Sequence, residues 1–476
     1  MLKIRHPSVR DFFPYEPTDD QALLFTKLDE FLRDQLPGRK VFVLRGYAGT
    51  GKTTVVSALV QWLHQLQRKY TLMAPTGRAA KVMAGYAGVP AGTIHKKIYR
   101  QTSGVPAERL SFQRQPNRVE QMLYIVDEAS MISDEKAFGE TGLLDDLMNF
   151  VFEKQTNKLL LIGDTAQLPP VGQLLSPALD PEGLAHRFRA EVATMELRQV
   201  MRQALNSGIL VNATELREEL RQPTPNIQLH TLGFRDIFKM SGDKLEDGLR
   251  WAYREFGHEN TTIICRSNRN ANQYNQLIRR ALFDAEEEIE GGDYLMVVRN
   301  NYYWLDKDSE IGFLANGDFL QISKIIRREE VYGFHFAQAR VRLVDYPDEP
   351  ELEVKLLLDT LHTESPALPA DRNNELYQAV AADYAHLKTK AERYKEMRKD
   401  PYLNALQIKF AYALTCHKAQ GGQWQAVFVD HGFLKPDEPL AGEFARWLYT
   451  AITRASERLF LLNFQQRLVS DPPVED

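Results

Sequence analysis

Apolar and polar positions along the chain follow two textures. Up to about residue 285, and again after 406, short apolar runs alternate with stretches whose apolar residues recur every three to four positions. Val41–Leu44, Tyr70–Ala74, Leu123–Val126 and Lys158–Ile162 read as buried strands, with helical patterns over Thr54–Gln65 and Gly77–Met83 between them. That order, β-α-β-α, is the signature of a parallel sheet. Ahead of it, Leu23, Leu24, Leu28, Phe31 and Leu32 mark one side of a helix that Thr18 or Asp19 can cap. From Glu191 a second α/β set is expected: Thr194–Leu197, a helical stretch to Leu220, the strand Thr261–Cys265 and a helix over Asn268–Leu282. It resumes with Gln407–Leu414, Val427–Val429, a helix through Trp447–Ala455 and the strand Arg458–Leu462. Between about 286 and 405 the texture changes. Tyr294–Val298, Phe319–Ile325 and Phe334–Val344 are β-type runs, several alternating, with Asn316-Gly317-Asp318 as a turn signal, which argues an inserted antiparallel barrel. Glu375–Met397 is heavily charged with few apolar positions and is expected to project into solvent or bridge domains. Residues 100–120 hold no sustained period, and about 97–120 reads as a small excursion from the sheet. The expected division is 1–190, then 191–285 with 406–476, around an insertion at 286–405.

Composition changes this picture little. With 476 residues, 43% of them apolar, the chain can build several cores. A net charge of −5 gives no global attraction to a polyanion, so any nucleic acid must be held in a locally basic cleft. The first residues form no apolar run long enough for a signal peptide, and no stretch suits a membrane span, so a cytoplasmic or nucleoid-associated protein is expected. Cys265 and Cys416 lie far apart without CxxC spacing, which indicates buried, reduced thiols rather than a disulfide or zinc site.

Candidate chemistry sharpens it. Gly46-x-x-x-x-Gly51-Lys52-Thr53 follows the strand Val41–Leu44 and opens a helix. Backbone N–H groups of such a loop cradle phosphates, Lys52 reaches the β/γ oxygens and Thr53 can ligate Mg²⁺. Gly49 and Thr54 belong to the same cradle. Asp127 and Glu128 end the strand Leu123–Val126; Asp127 is suited to Mg²⁺ and Glu128 to orienting or deprotonating a water, unless the pair is merely a solvated strand exit. Gln167, an uncharged hydrogen-bonder at the end of another strand, is suited to sensing a γ-phosphate. Thr76 stands at a strand's carboxyl end, where ligands bind such sheets. His95 follows Thr93 and reads equally as a capping or core histidine, and Phe112 either anchors its loop or projects. Gln21 by itself reads as a first-turn helix residue.

Taken in order, GYAGTGKTT, APTGRAA, TIH, VDEAS, GDTAQLPP, LRQVMRQ, LTCHKAQGGQW and YTAITRA resemble the motifs of superfamily 1 helicases over nearly the whole chain. TIH, GDxxQLPPV, HKxQG and TRA are closest to the 5′-to-3′, RecD-like and Dda-like branch. The resemblance implies two RecA-like P-loop NTPase domains with an inserted small β-barrel and a helical arm, and an ATP- and Mg²⁺-dependent DNA helicase acting as a monomeric motor on single-stranded and forked DNA. It implies catalytic roles for Lys52, Glu128 and Gln167, and for Arg202 and Arg454 as two arginine fingers from the second domain. Gln21 matches an adenine-reading glutamine. Thr76, Thr93, His95, Thr415, His417 and Lys418 match motifs that touch the single strand, and Phe112 falls where related enzymes carry a duplex-splitting pin. Arg198 reads as a surface or supporting arginine. Two alternatives stay open: a single-strand translocase that displaces bound proteins, and the motor subunit of a helicase–nuclease complex. A P-loop kinase would share the cradle but needs neither the two arginine motifs nor HKAQG.

Overall fold

The structure is a computed structural model that describes residues 7–101, 112–134, 141–201, 206–305, 312–435 and 440–470, with the backbone alone at Gln101 and Phe112. In chain order the first half carries α1 (Asp19–Arg33), β1 (Lys40–Gly46), α2 (Lys52–Gln65), β2 (Tyr70–Ala74), α3 (Gly77–Ala87), β3 (Ala91–Thr93) and α4 (Ile94–Ile98). The hairpin strands β4 (Tyr99–Gln101) and β5 (Phe112–Arg114) follow, then β6 (Leu123–Val126), α5 (Leu143–Val151), β7 (Lys158–Gly163), α6 (Pro181–Phe188) and β8 (Glu191–Leu197). Six of these strands form one parallel sheet in the order β3-β2-β6-β7-β1-β8. Its strands are continuous apolar runs because both faces are covered. Along β1, Phe42 and Leu44 pack into one core with α1 and α2, while Val41 and Val43 pack into the other with α5 and α6. Because its strands run parallel, the carboxyl edge of this sheet carries the loops after β1, β2, β6 and β7 on one rim.

The second half carries α7 (Gly208–Glu219), β9 (Ile237–Met240), α8 (Leu245–Phe256), β10 (Thr261–Cys265) and α9 (Asn268–Phe283). Next come β11 (Tyr294–Val297), β12 (Phe319–Val331), β13 (Phe334–Leu343), β14 (Leu352–Leu357), α10 (Asp359–His362), α11 (Ala370–Asp383), α12 (Lys390–Met397) and β15 (Leu406–Phe410). The chain closes with β16 (Ala413–Thr415), α13 (Cys416–Ala419), β17 (Trp424–Asp430), α14 (Gly442–Ile452) and β18 (Ala455–Leu462). A second parallel sheet has the order β16-β10-β17-β18-β9, and β11 to β15 close a barrel. Both cysteines are buried and free. Among the described residues no helix is long and apolar enough to cross a membrane.

Three expectations need correction. Glu191–Leu197 does not open the second unit but forms the edge of the first sheet, paired in parallel with β1. An apolar run fixes a strand, not the sheet it joins. Residues 406–410 likewise belong to the barrel, where β15 pairs antiparallel with β11 and parallel with β14, so the barrel is not wholly antiparallel. The charged arm is not one projecting helix: α11 ends at Asp383, and Thr389 starts α12 with a capping box to Glu392. Leu376 and Val380, one helical turn apart, bury against Phe334, Phe336 and Leu357 and hold the arm on the barrel.

The barrel also grips the first sheet. Arg78 of α3 lies over the rings of Phe319 and Trp424 and pairs with Asp345 at 3.0 Å, which Lys81 approaches at 3.1 Å. Gly77 leaves room for this contact, since a Cβ there would lie 2.3 Å from Asp318 Oδ1. Burial, aided by Asp345, pushes the Asp318 carboxyl up to about 7.

Candidate active site between the two sheets

The phosphate cradle is built by backbone conformation. Gly49 and Gly51 take φ of +74° and +83°, which side chains rarely adopt, and a Cβ on Gly51 would lie 2.7 Å from Gln21 Nε2. Gly51 is the N-cap of α2 and offers no side-chain cap, so the first-turn N–H groups of Lys52, Thr53 and Thr54 are left for an anion. Lys52 Nζ donates to the carbonyls of Gly46 at 2.6 Å and Tyr47 at 2.9 Å, and lies 4.0 Å from Asp164 Oδ2. Beside the loop a cleft of about 890 Å³ runs between the start of α1 and α7, lined by Tyr15, Thr18, Arg198, Met201, Leu210 and Arg217. Loop, helix terminus and cleft together fit a nucleoside triphosphate: anionic at the glycines, with an aromatic and aliphatic wall for a base.

Gln21 lies against the cradle. Its Oε1 accepts from the Thr18 N–H at 3.0 Å and its Nε2 donates to the Thr50 carbonyl at 2.9 Å, so both amide atoms brace helix and loop. Arg198 is exposed and pairs with Glu196. Met201 N–H donates to the Gly49 carbonyl at 3.0 Å, bringing that segment against the cradle; Arg202, the next residue, lies outside the described residues.

Opposite the cradle, Asp127 Oδ2 accepts from the Tyr86 hydroxyl at 2.5 Å and Oδ1 from the Glu128 N–H at 2.8 Å. Carboxylate and hydroxyl oxygens, here Asp127 and the exposed Thr53, are the donor set of a hard cation, and the carboxylate keeps lone pairs beyond these bonds. Glu128 turns into the left-handed region at φ +51°. Its carboxylate lies 3.8 Å from Arg454 Nη1, which the second sheet supplies. Burial pushes Glu128 upward; Arg454 opposes that shift, and Asp127 adds to it. Gln167 is buried, and its Oε1 has no hydrogen-bond partner among the described residues. A buried amide oxygen left in that state is an acceptor held for something else.

Four side chains that residue-by-residue reading missed join the two sheets here. The Ala48 N–H of the cradle donates to the Tyr449 hydroxyl at 2.8 Å, which donates to Asp164 Oδ2 at 2.6 Å. One helical turn of α14 continues the seam: Leu168 N–H donates to Thr450 Oγ1 at 2.8 Å, and Arg446 donates to the Thr165 carbonyl. Gln420 Nε2 donates to the Leu168 carbonyl at 2.7 Å. Tyr449 and Asp164 lie inside YTAITRA and GDTAQLPP, so the signal was present; their partnership across the cleft was not.

The strand-side candidates are more dispersed. Thr76 and Thr93 cap α3 and α4, accepting from the Ala79 and Lys96 N–H groups, and Gly421 lies close to Thr76 and Ala79. Burial pulls the His95 imidazole down to about 4, so it is neutral at pH 7. Thr415 starts α13, His417 is exposed, and Lys418 Nζ donates to Asn316 Oδ1 at 2.5 Å. The Phe112 backbone pairs with Gln101 in the hairpin, but its side chain lies outside the described residues.

Comparison with known proteins fits this arrangement. A family model described as "AAA domain" matches residues 30–231, from the end of α1 through the first sheet to α7, and one described as "UvrD-like helicase C-terminal domain" matches 410–462, which holds β16, β17 and β18 of the second sheet. The ATP-dependent RecD2 DNA helicase of Deinococcus radiodurans is 34% identical over 178 residues, 37% of this chain and 22% of that protein. The chain pairs an AAA domain with a UvrD-like helicase C-terminal domain. The helicase is thus an ATP hydrolase that uses ATP with Mg²⁺. An uncharacterized protein of Acanthamoeba polyphaga mimivirus is 23% identical to it across 92% of this chain and 98% of its own length. Among solved structures, the Pif1 helicase from Bacteroides in complex with ADP-AlF3 and ssDNA is 16% identical over 94% of both chains, with a TM-score of 0.45. The Pif1 helicase from Candida albicans is 15% identical over 96% of this chain and 97% of that one, also at 0.45.

Proposed function

We propose that the helicase is a monomeric motor that translocates 5′ to 3′ on single-stranded DNA and separates the strands of forked duplex. The observation that carries this is the 3.8 Å approach of Arg454, from the second sheet, to Glu128 of the first. A nucleotide seated between them is completed only when both units close on it. In this reading Gly46, Gly49, Gly51 and Thr54 cradle the phosphates and Lys52 neutralises the β/γ oxygens. Thr53 and Asp127 hold Mg²⁺, which when bound offsets phosphate charge. Glu128 takes the proton of the attacking water, Gln167 positions that water, and Arg454 with Arg202 stabilises the departing γ-phosphoryl charge. Gln21 supports the cradle from behind. The hydrogen bonds of α14 carry closure from the cradle to Gln420 and so to the HKAQG loop, where Lys418 and His417 face the strand together with Thr415, Thr76, Thr93 and His95.

The decisive experiment is ATP-driven displacement of an oligonucleotide from duplexes tailed on the 5′ or the 3′ side. Displacement restricted to 5′-tailed substrates is the expected result. Displacement restricted to 3′-tailed substrates overturns the polarity, and failure of single-stranded DNA to accelerate ATP hydrolysis overturns the motor itself.

A further inference from the structure

Away from the nucleotide, the barrel and the helical arm enclose a cavity of about 360 Å³ between the end of β11 and helices α11 and α12. Its size lies within the range of small-ligand sites, about 300–1,000 Å³. Its lining is unlike a packing defect, because aromatic rings, amides and guanidinium groups face it together. Tyr302, Tyr303 and Tyr377 supply rings, Asn300 and Asn374 amides, and Arg299 a cation. Tyr303, Asn374 and Arg299 are exposed at the mouth. The Tyr303 ring is held by its hydroxyl donating to the Lys399 carbonyl at 2.9 Å and by an edge contact with Trp304 at 4.8 Å.

Position adds what composition leaves open. Asn300 Oδ1 accepts from the Asn316 N–H at 2.7 Å, and Asn316 Oδ1 accepts from Lys418 Nζ at 2.5 Å. Tyr302 is near enough to Tyr99, at the base of the hairpin, for the two hydroxyls to act on each other electrostatically. The cavity is therefore linked through Asn300 and Asn316 to Lys418, and through Tyr302 to Tyr99 at the base of the hairpin. We infer that this cavity is a base-binding site for single-stranded DNA: one nucleobase of the tracked strand leaves the stack and lies against Tyr303, with its edge toward Asn374 and its phosphate toward Arg299. The inference rests on the proposed strand-tracking function and adds a third contact, on the barrel, to those of the two sheets. Aromatic stacking is sequence-tolerant, so such a site holds register without reading sequence.

The test uses the full chain and a short oligonucleotide in which a single abasic site is moved one nucleotide at a time. Stacking of one base accounts for roughly a tenfold change in affinity. One position is expected to weaken binding by about that factor, and in Tyr303→Ala the same position loses its penalty, while Tyr303→Phe retains it. A flat abasic profile with the wild-type chain overturns the base site, and so does a penalty that persists undiminished in Tyr303→Ala. The wild-type profile stands even if the alanine variant does not fold. Strand-accelerated ATP hydrolysis measured with the same oligonucleotides separates the two readings: acceleration with a flat profile removes the cavity alone, whereas no acceleration removes the motor reading with it.

Discussion

The nucleotide side and the strand side of this molecule are built on different terms. At the nucleotide, charged groups from two sheets meet in one volume: Lys52 lies 4.0 Å from Asp164, and Arg454 lies 3.8 Å from Glu128. On the strand side, Thr76 and Thr93 cap their own helices, His95 is neutral, and Lys418 is held by a barrel amide. Phosphoryl transfer depends on charges placed within a fraction of an ångström, and removing one disables the rest. A motor that slides must hold its strand through many contacts, none of them decisive. Single substitutions should therefore divide sharply between the two sides.

The largest effect is expected at Arg454. Arg454→Ala should lower DNA-stimulated ATP turnover by roughly a thousandfold or more, the scale on which arginine fingers act. Lys52→Ala should fall in the same class, and near-normal turnover in either variant would erase the contrast between the sides. Glu128→Gln should cost about a hundredfold or more, as loss of a general base does. The pH profile sharpens that result. Burial raises the Glu128 carboxyl, so the base is lost on acidification earlier than an ordinary carboxylate would be. The acid limb of kcat should lie above the usual carboxylate range, and Glu128→Gln should abolish it.

Tyr449 tests whether the seam belongs to the nucleotide side. Tyr449→Phe removes the hydroxyl that accepts from Ala48 and donates to Asp164, leaving a half-buried donor and a buried acceptor without this partner. A buried polar group left unpaired costs about 1–3 kcal/mol; with water resatisfying the half-buried Ala48 N–H and about 1.4 kcal/mol falling on the closed state, about a tenth of the strand-stimulated rate should remain. The ratio of stimulated to unstimulated turnover is the readout. An unchanged ratio with a lowered Tm would make Tyr449 a stability residue alone.

The division also explains what the sequence made legible. The cradle could be read because left-handed glycines, an uncapped helix start and a lysine are demanded locally, within one loop. Asp127 and Glu128 were legible for the same reason, as the exit of one strand. Tyr449 was not, because its function is a hydrogen bond to a loop 401 positions away in sequence. Strand periodicity likewise could not assign β8 to a sheet, or β15 to the barrel, since both choices are made by distant pairing. Gln21 shows a role that position and residue type suggest and local bonding only partly describes: Oε1 accepts from the Thr18 N–H and Nε2 donates to the Thr50 carbonyl, which leaves one lone pair and one N–H of the amide for a base edge.

Lys418 should give the smallest effect and the most diagnostic one. Lys418→Ala takes away one phosphate-binding cation, which should weaken binding only a few-fold at moderate salt and reduce the salt dependence of log K by about one unit of slope. Burial pulls the Lys418 ammonium down to about 8. Below that pH the side chain is charged and can hold a phosphate; above it the free chain carries a neutral amine that must take up a proton to do so. Strand affinity should therefore decline between about pH 7 and 9, and Lys418→Arg should flatten the decline, because guanidinium stays charged throughout. Fluorescence anisotropy of a labelled oligonucleotide across that range checks both. A thousandfold loss on Lys418→Ala would show that the strand side, too, depends on one fixed charge. The contrast would then lie in which ligand each side holds, not in how tightly its geometry is set.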